Sequence, residues 1–276
     1  MVIAAYRLSF ASVVIGIFTF QKSLVEIRLL SKNQWITIIF AGILLAIHFA
    51  VWITSLEYTS VASSVVLVTT TPIWVALLSP VILHEKVSRS VTVGLIIAML
   101  GVFVLTLSSI CKFTGMKLVC DLNKLMGNGG NLLGNFLALM GAWAAAGYVM
   151  VGRKIRQNTS VGTYTLLVYS ISAVILLGLA SVSKNSLIGY TLESWVWMIL
   201  LALIPQVVGH TALNWALGSL PAAFVSIALL GEPIGSSLLA WLFLFEEPTF
   251  LEIFGALLIL IGITFAAKSW KGEKLN

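Results

Sequence analysis

The chain has 276 residues, 59% of them hydrophobic and 9% charged, with a mean hydropathy of +1.06; ordinary globular domains carry about 25% charged residues. The formal charge of +6 does not point to nucleic acid, because the basic residues sit at the ends of apolar runs and form no interleaved patch. Composition thus excludes a soluble globular domain and indicates an integral membrane protein whose surroundings are a lipid bilayer.

A spanning helix needs about 20 mostly apolar residues. Nine such spans are predicted: Val2 to Phe20, Trp35 to Leu56, Ser60 to Leu83, Ser90 to Ser109, Asn131 to Gly152, Val161 to Val182, Ser194 to Leu217, Ala222 to Phe245 and Leu251 to Lys268. The runs are continuous rather than alternating at period two, which selects an all-α polytopic membrane protein over a barrel. Met1 to Phe20 is not read as a signal sequence, since no small-residue cleavage site closes it. Eleven Lys and Arg fall on the side of the C-terminus (Lys22, Arg28, Lys32, Lys86, Arg89, Arg153, Lys154, Arg156, Lys268, Lys271, Lys274) and four on the other (Lys112, Lys117, Lys124, Lys184). The C-terminus is therefore expected in the cytoplasm and the N-terminus outside. Trp35 and Trp270 on one side, and Trp195 and Trp197 on the other, fit interfacial anchors. Cys111 and Cys120 share an outer loop, where a disulfide and two free thiols are both open readings.

Sliding the chain against itself by 161 residues reveals an internal repeat. Leu56 falls on Leu217, Ala62 on Ala223, Pro72 on Pro233, Ile73 on Ile234, Leu77 on Leu238 and Leu78 on Leu239. Glu85 then falls on Glu246, Gly94 on Gly255, Gly101 on Gly262 and Ser108 on Ser269. Five spans separate the paired elements, an odd number, so the two copies cross the membrane in opposite directions, the inverted repeat of secondary transporters. Residues 1–109 form the first repeat, 110–130 an extracytoplasmic loop, 131–268 the second repeat and 269–276 a cytoplasmic tail. The second repeat has five helices and the first has four, so a first helix before Met1 is expected to be missing.

These motifs resemble the drug/metabolite transporter superfamily, specifically its EamA-type members. Ala4 to Ala11, with Arg7, resembles the opening of the family's second helix. Ser60 to Ser64, Thr71-Pro72-Ile73-Trp74, His84-Glu85-Lys86 and Gly94 to Gly101 resemble the end of a first repeat; Leu220-Pro221-Ala222, Glu232-Pro233, Glu246-Glu247 and Gly255 to Gly262 resemble the end of a second. The resemblance implies ten helices in two five-helix halves, and export of small metabolites such as amino acids driven by the proton gradient or the substrate's own gradient. It also implies residence in the plasma (inner) membrane.

Glu232 is the leading candidate for chemistry. A charge at the centre of a spanning helix costs roughly 2.5–3.5 kcal/mol on insertion scales, so such a group is expected to face a polar interior. Burial should favour the protonated acid, which could bind a cationic group or exchange a proton; the alternative is a neutral acid hydrogen-bonded across helices. Gly231 and Gly235 beside it form a small-xxx-small pair that would admit a neighbouring backbone. Thr71 stands at the repeat-equivalent position, where Thr69, Thr70 and Thr71 either cover the carbonyls around Pro72 or offer hydroxyls to a substrate. Gln206, His210 and Asn214 recur every four residues on one face, either as a polar wall of a cavity, with His210 a proton partner of Glu232, or as an interhelical hydrogen-bond ladder. His48 and Trp52 share a face that could stack on a ligand or pack as core. Arg7 and Glu57 close neighbouring spans on the outer side and could pair as a gate or a fixed clamp. Arg153, Lys154 and Arg156 read as topology determinants, Glu85, Glu246 and Glu247 as loop or helix-end residues, and Gly94, Gly101, Gly255 and Gly262 as close helix packing.

No P-loop motif is present, and the only aspartate is Asp121, so no carboxylate cluster for magnesium-bound phosphates exists. No metal, cofactor or nucleic-acid partner is expected; the expected partners are a small-molecule substrate and lipid, and a homo-oligomer is compatible with the sequence. The sequence thus reads as a secondary transporter working by alternating access, not an enzyme. A polytopic enzyme acting on a lipid-linked substrate and an inactive truncated paralogue are the alternatives. The orientation is testable: a fluorescent protein fused after Asn276 is expected to fluoresce and alkaline phosphatase at the same place to be inactive, and the reverse pattern would overturn it.

Overall fold

The computed structural model describes residues 1–108, 110–114, 117–121, 131–183 and 186–273. Of the residues used above to set the orientation, Lys124, Lys184 and Lys274 lie outside the described residues, as does Ser109 at the end of the fourth expected span. In chain order the elements are α1 (Val2–Leu29), α2 (Lys32–Tyr58), α3 (Val61–Val68), α4 (Thr71–Ile82), α5 (Arg89–Leu107), strands β1 (Cys111–Thr114) and β2 (Lys117–Cys120), α6 (Asn131–Arg156) and α7 (Val161–Val182). They continue with α8 (Leu192–Leu201), a π-helical stretch (Ala202–His210), α9 (Thr211–Ala216), α10 (Ala222–Ala228), a 3-10 turn (Leu229–Gly231), α11 (Glu232–Leu244) and α12 (Phe250–Glu273). Joined across their breaks, these give nine segments among the described residues that are long and apolar enough to cross a membrane, from Val2–Leu29 to Phe250–Lys268. The spans begin where the sequence offers a cap: Ser60, Ser88, Ser160 and Thr191 each accept a hydrogen bond from the N–H three residues on.

Between α5 and α6 the connecting segment contains an antiparallel hairpin that hydropathy did not signal, with Cys111 opposite Cys120 and the two joined by a disulfide. The bridge closes the base of the hairpin.

The helices form two compact units, each drawing on both ends of the chain. The first comprises Met1–Ile53 and Trp143–Pro221. In it α1 and α7 pack antiparallel along their lengths, with Gly16 against Leu166 and Gly162 against Thr19. A Cβ on Gly42 would stand 2.7 Å from Ile171 Cγ2, so glycine lets α2 lie on α7, and Ser172 Oγ donates to the Gly42 carbonyl at 2.7 Å.

The second unit comprises Thr54–Ala142 and Ala222–Asn276. Its centre is the antiparallel crossing of α5 and α12. A Cβ on Gly94 would meet the Gly262 carbonyl oxygen at 2.5 Å, and one on Gly101 that of Gly255 at 2.7 Å. Backbones approach so closely because neither side carries a side chain there. Shifting each residue by the repeat offset turns one contact into the other: Gly94 with Gly262 becomes Gly255 with Gly101. The pair is thus isologous about a local two-fold axis. Val91, Leu95, Ala98 and Val102 of α5, Ala223, Ile227 and Leu230 of α10 and its turn, and Ile259 and Ala266 of α12 form the buried core around it. The close approach expected at Gly231 and Gly235 is corrected: among the described residues nothing lies within 4 Å of a Cβ on Gly235, and one on Gly231 would meet only the Ile263 Cδ1 methyl at 3.7 Å. Ile227, Leu230 and Ile234 supply the inward side of that segment instead.

Gly101→Val forces the seam apart and is expected to destabilise the protein by about 1–3 kcal/mol in a denaturant titration in micelles. Gly178→Ala, at a site where among the described residues nothing beyond its own helix backbone lies within 4 Å of the added Cβ, is expected to be neutral or slightly stabilising, and equal effects of the two would refute the account of the crossing.

Candidate functional site

In the first unit, polar and aromatic side chains from five spanning segments converge on the π-helical stretch. Pro205 lies inside it and cannot donate to the preceding turn. The chain winds into a wider turn there, and the Thr211 N–H reaches back five residues to the Gln206 carbonyl. Gln206 and Asn214 are fully buried and His210 half-buried, so the expected polar face points largely into protein.

Arg7 of α1 donates from Nε to Gln206 Oε1 at 2.7 Å, and its guanidinium lies 4.9 Å from the centroid of the Phe49 ring. Arginine has only donors, so this bond fixes the amide with its oxygen toward Arg7 and its nitrogen away. Phe49 also borders the His210 ring at 6.0 Å and the His48 ring at 4.9 Å, and His48 stacks on Trp52 at 5.6 Å. One turn further, Asn214 Oδ1 accepts from the Tyr148 hydroxyl at 2.9 Å and Asn214 Nδ2 donates to the Tyr169 hydroxyl at 3.2 Å. Asn214 therefore serves an interhelical ladder. Gln206 Nε2 and His210 Nδ1 are different: both are buried, and among the described residues neither has a hydrogen-bond partner. A buried polar atom left so costs about 1–3 kcal/mol.

In the second unit the two proline breaks are met by different means. The Thr69, Thr70 and Thr71 hydroxyls donate back to the carbonyls of Val65, Leu67 and Val68 at 2.8, 2.6 and 2.8 Å. Thr71 is buried, and its hydroxyl also lies 3.4 Å from the Ala142 carbonyl oxygen. Before Pro233 the chain has no such hydroxyls and tightens into the 3-10 turn. Glu232 opens α11, where a carboxylate suits the positive end of a helix. The expectation that it is buried is corrected: Glu232 is exposed. Leu230 and Ile234, four residues apart, pack toward the core, and Glu232 midway between them points to the opposite side.

Other residues fall outside these clusters. Glu57 is exposed near the end of α2. Arg153 and Arg156 do more than set topology, since they donate to the carbonyls of Leu217 and Asn214, each at 2.9 Å, at the end of α9. Sequence reading passed over Phe49, Tyr148, Tyr169 and Glu26. For the tyrosines a signal existed, because a hydroxyl inside a spanning helix needs a partner. Glu26 accepts from the Ser160 N–H and the Thr163 hydroxyl, both at 2.6 Å, and from the Ser160 hydroxyl, which ties the end of α1 to the start of α7. Among the described residues no group of three or more His, Cys, Asp or Glu side chains is placed to hold a metal ion.

The chain is 27% identical over 250 residues to an uncharacterized transporter of Synechocystis, a match covering 86% of this chain and 66% of that protein. It thus spans just under two thirds of that relative's length. An uncharacterized transporter of Bacillus subtilis, YyaM, is 24% identical over 99% of this chain and 86% of its own length. A third uncharacterized transporter, from Archaeoglobus fulgidus, is 27% identical over 75% of this chain and 67% of its own. One crystal structure of a protein 13% identical in sequence superimposes with a TM-score of 0.74 over 96% of this chain and 86% of that one, a likeness of fold alone. Residues 1–107 and 132–267 match one family along nearly the whole chain, and the protein belongs to the EamA-like transporter family.

Proposed function

We infer that the protein is a secondary transporter that exports small metabolites such as amino acids across the plasma (inner) membrane, with its C-terminus in the cytoplasm. The observation that carries this reading is the Gln206 amide. Arg7 orients it, protein encloses it, and its nitrogen makes no hydrogen bond of normal geometry among the described residues, although the Tyr169 hydroxyl lies close enough to interact with the amide. An oxygen of a substrate, such as an amino-acid carboxylate, would satisfy that nitrogen and gain from the nearby guanidinium. Phe49, His48 and Trp52 would give the same site an apolar wall, the usual make-up of a small-molecule pocket. The family membership supports transport as the activity.

Glu232 is assigned proton coupling. It is the carboxylate beside the Pro233 break, and an ionisable group within a spanning segment is by default functional. His210, with Nδ1 buried and among the described residues unbonded, is a second titratable group available to that task.

In proteoliposomes loaded with a mixed pool of amino acids, efflux of a defined subset is expected, faster under an imposed pH gradient. Gln206→Leu is expected to slow efflux of that subset by about tenfold or more, the effect of losing one charge-assisted contact. Glu232→Gln is expected to fold normally and lose the gradient dependence. Efflux by Glu232→Gln that still responds to pH would remove that residue from coupling, and no efflux from well-folded wild type would remove the transport reading.

A further inference from the structure

The two repeats end their broken spans in the same unusual way. His84 and Phe245, 161 residues apart, are the only non-glycine residues with positive φ among the described residues, and both sit at 57°. Each is followed by a glutamate whose N–H closes the helix end: Glu85 N donates to the Ser79 carbonyl at 3.3 Å and Glu246 N to the Ala240 carbonyl at 3.4 Å. All three pairs, His84 with Phe245, Glu85 with Glu246 and Ser79 with Ala240, obey the repeat offset. A left-handed side-chain-bearing residue is strained, and its double use holds both glutamates at one fixed point of the turn.

The two carboxylates nonetheless do different things. The Glu85 carboxylate accepts from the Ala222 N–H at 2.9 Å and so caps α10, which follows Pro221 and has no acceptor of its own at that position. The repeat counterpart of Ala222 is Val61, the first residue of α3, where Ser60 caps the N–H of Ser63 and leaves that of Val61 open to an outside acceptor. Glu246, the residue that would reach it, is exposed. The helices repeat the asymmetry: α4 packs against α10, and their counterparts α11 and α3 have no comparable contact. Yet α5 and α12 cross symmetrically between them. A symmetric seam with one end fastened and the equivalent end open has a mirror state of similar contacts, in which the fastening is exchanged.

We propose that Glu85 and Glu246 are alternating latches: Glu85 on the Ala222 N–H closes the end of this unit nearest the C-terminus, and Glu246 on the Val61 N–H closes the opposite end when the first is released. Neither touches substrate; both are positioning residues that set which end is open. The inference rests on the transporter reading for its purpose, but its test needs no substrate.

Hydrogen exchange of the full chain in nanodiscs, read by mass spectrometry on the peptide that begins α10, reports how often the Ala222 N–H is released. Glu85→Gln is expected to speed exchange there by about tenfold, the shift that weakening one charge-assisted hydrogen bond makes. Glu246→Gln is expected to slow it by a similar factor, because the released state loses its own latch. A merely structural Glu246 would leave exchange at α10 unchanged, and that result overturns the proposal. Where either glutamine variant fails to fold, Val61→Cys with Glu246→Cys supplies the second measurement, the two native cysteines being held in their disulfide. A short bis-methanethiosulfonate reagent is expected to link the pair and to speed exchange at α10, whereas no link, or a link without effect on α10, overturns the proposal. Opposite shifts in a protein that moves no substrate would uphold the latches and sink the transport reading; transport with unchanged exchange would do the reverse.

Discussion

A backbone carbonyl inside a bilayer has no water to turn to, and three spans of this protein contain a proline that removes a helical partner. Each break is repaired with whatever the local sequence supplies. Three consecutive threonines return their hydroxyls to the carbonyls before Pro72. The segment before Pro233 tightens to a 3-10 turn, and the segment around Pro205 widens to a π turn. The repair decides what the break can do. Threonine hydroxyls that donate to carbonyls are largely committed, so the Thr71 break is rigid and buried. The π turn leaves Gln206 Nε2 and His210 Nδ1 buried and, among the described residues, without a hydrogen-bond partner, which is why the proposed ligand contact is placed at that break.

The glycine seam between α5 and α12 is the counterpart to these breaks. Backbone contacts at 2.5 and 2.7 Å from a notional Cβ tolerate no side chain, so the crossing is fixed while the broken helices around it differ. The seam is made by repeat-equivalent residues in equivalent roles. The broken helices, built from equally matched sequence, are not in equivalent positions. Symmetry in the rigid part and asymmetry in the broken part is the arrangement expected when one set of helices moves against another.

Much of the fold could be read from the chain because its physics is local. Span length, continuous apolar runs and serine or threonine caps are contained within windows of some twenty residues, and the glycines at 94, 101, 255 and 262 were in register by simple offset. What failed was direction. Where nearly every residue of a helix is apolar, periodicity does not say which side meets protein, so Glu232 was expected inside and Gly231 and Gly235 at a contact. The polar residues of the candidate site were visible as a four-residue rhythm. Their partners were not: Arg7 and Gln206 are 199 positions apart, and no local pattern pairs them. Asn214, which looked equivalent to Gln206 in that rhythm, proved to be held by Tyr148 and Tyr169 on two other helices.

That difference between Gln206 and Asn214 bears on how selectivity could be built. Asn214 has both ends of its amide engaged by tyrosine hydroxyls, so replacing it would disturb packing of α6, α7 and α9 together. Gln206 is held at its oxygen by Arg7, and its nitrogen makes no hydrogen bond of normal geometry among the described residues. A ligand oxygen at its nitrogen would complete a row of donors in a water-poor setting, where each bond is worth more than at a surface. A ligand lacking that oxygen would leave the row unpaired. Discrimination of this kind comes from the penalty on the wrong ligand as much as from attraction to the right one.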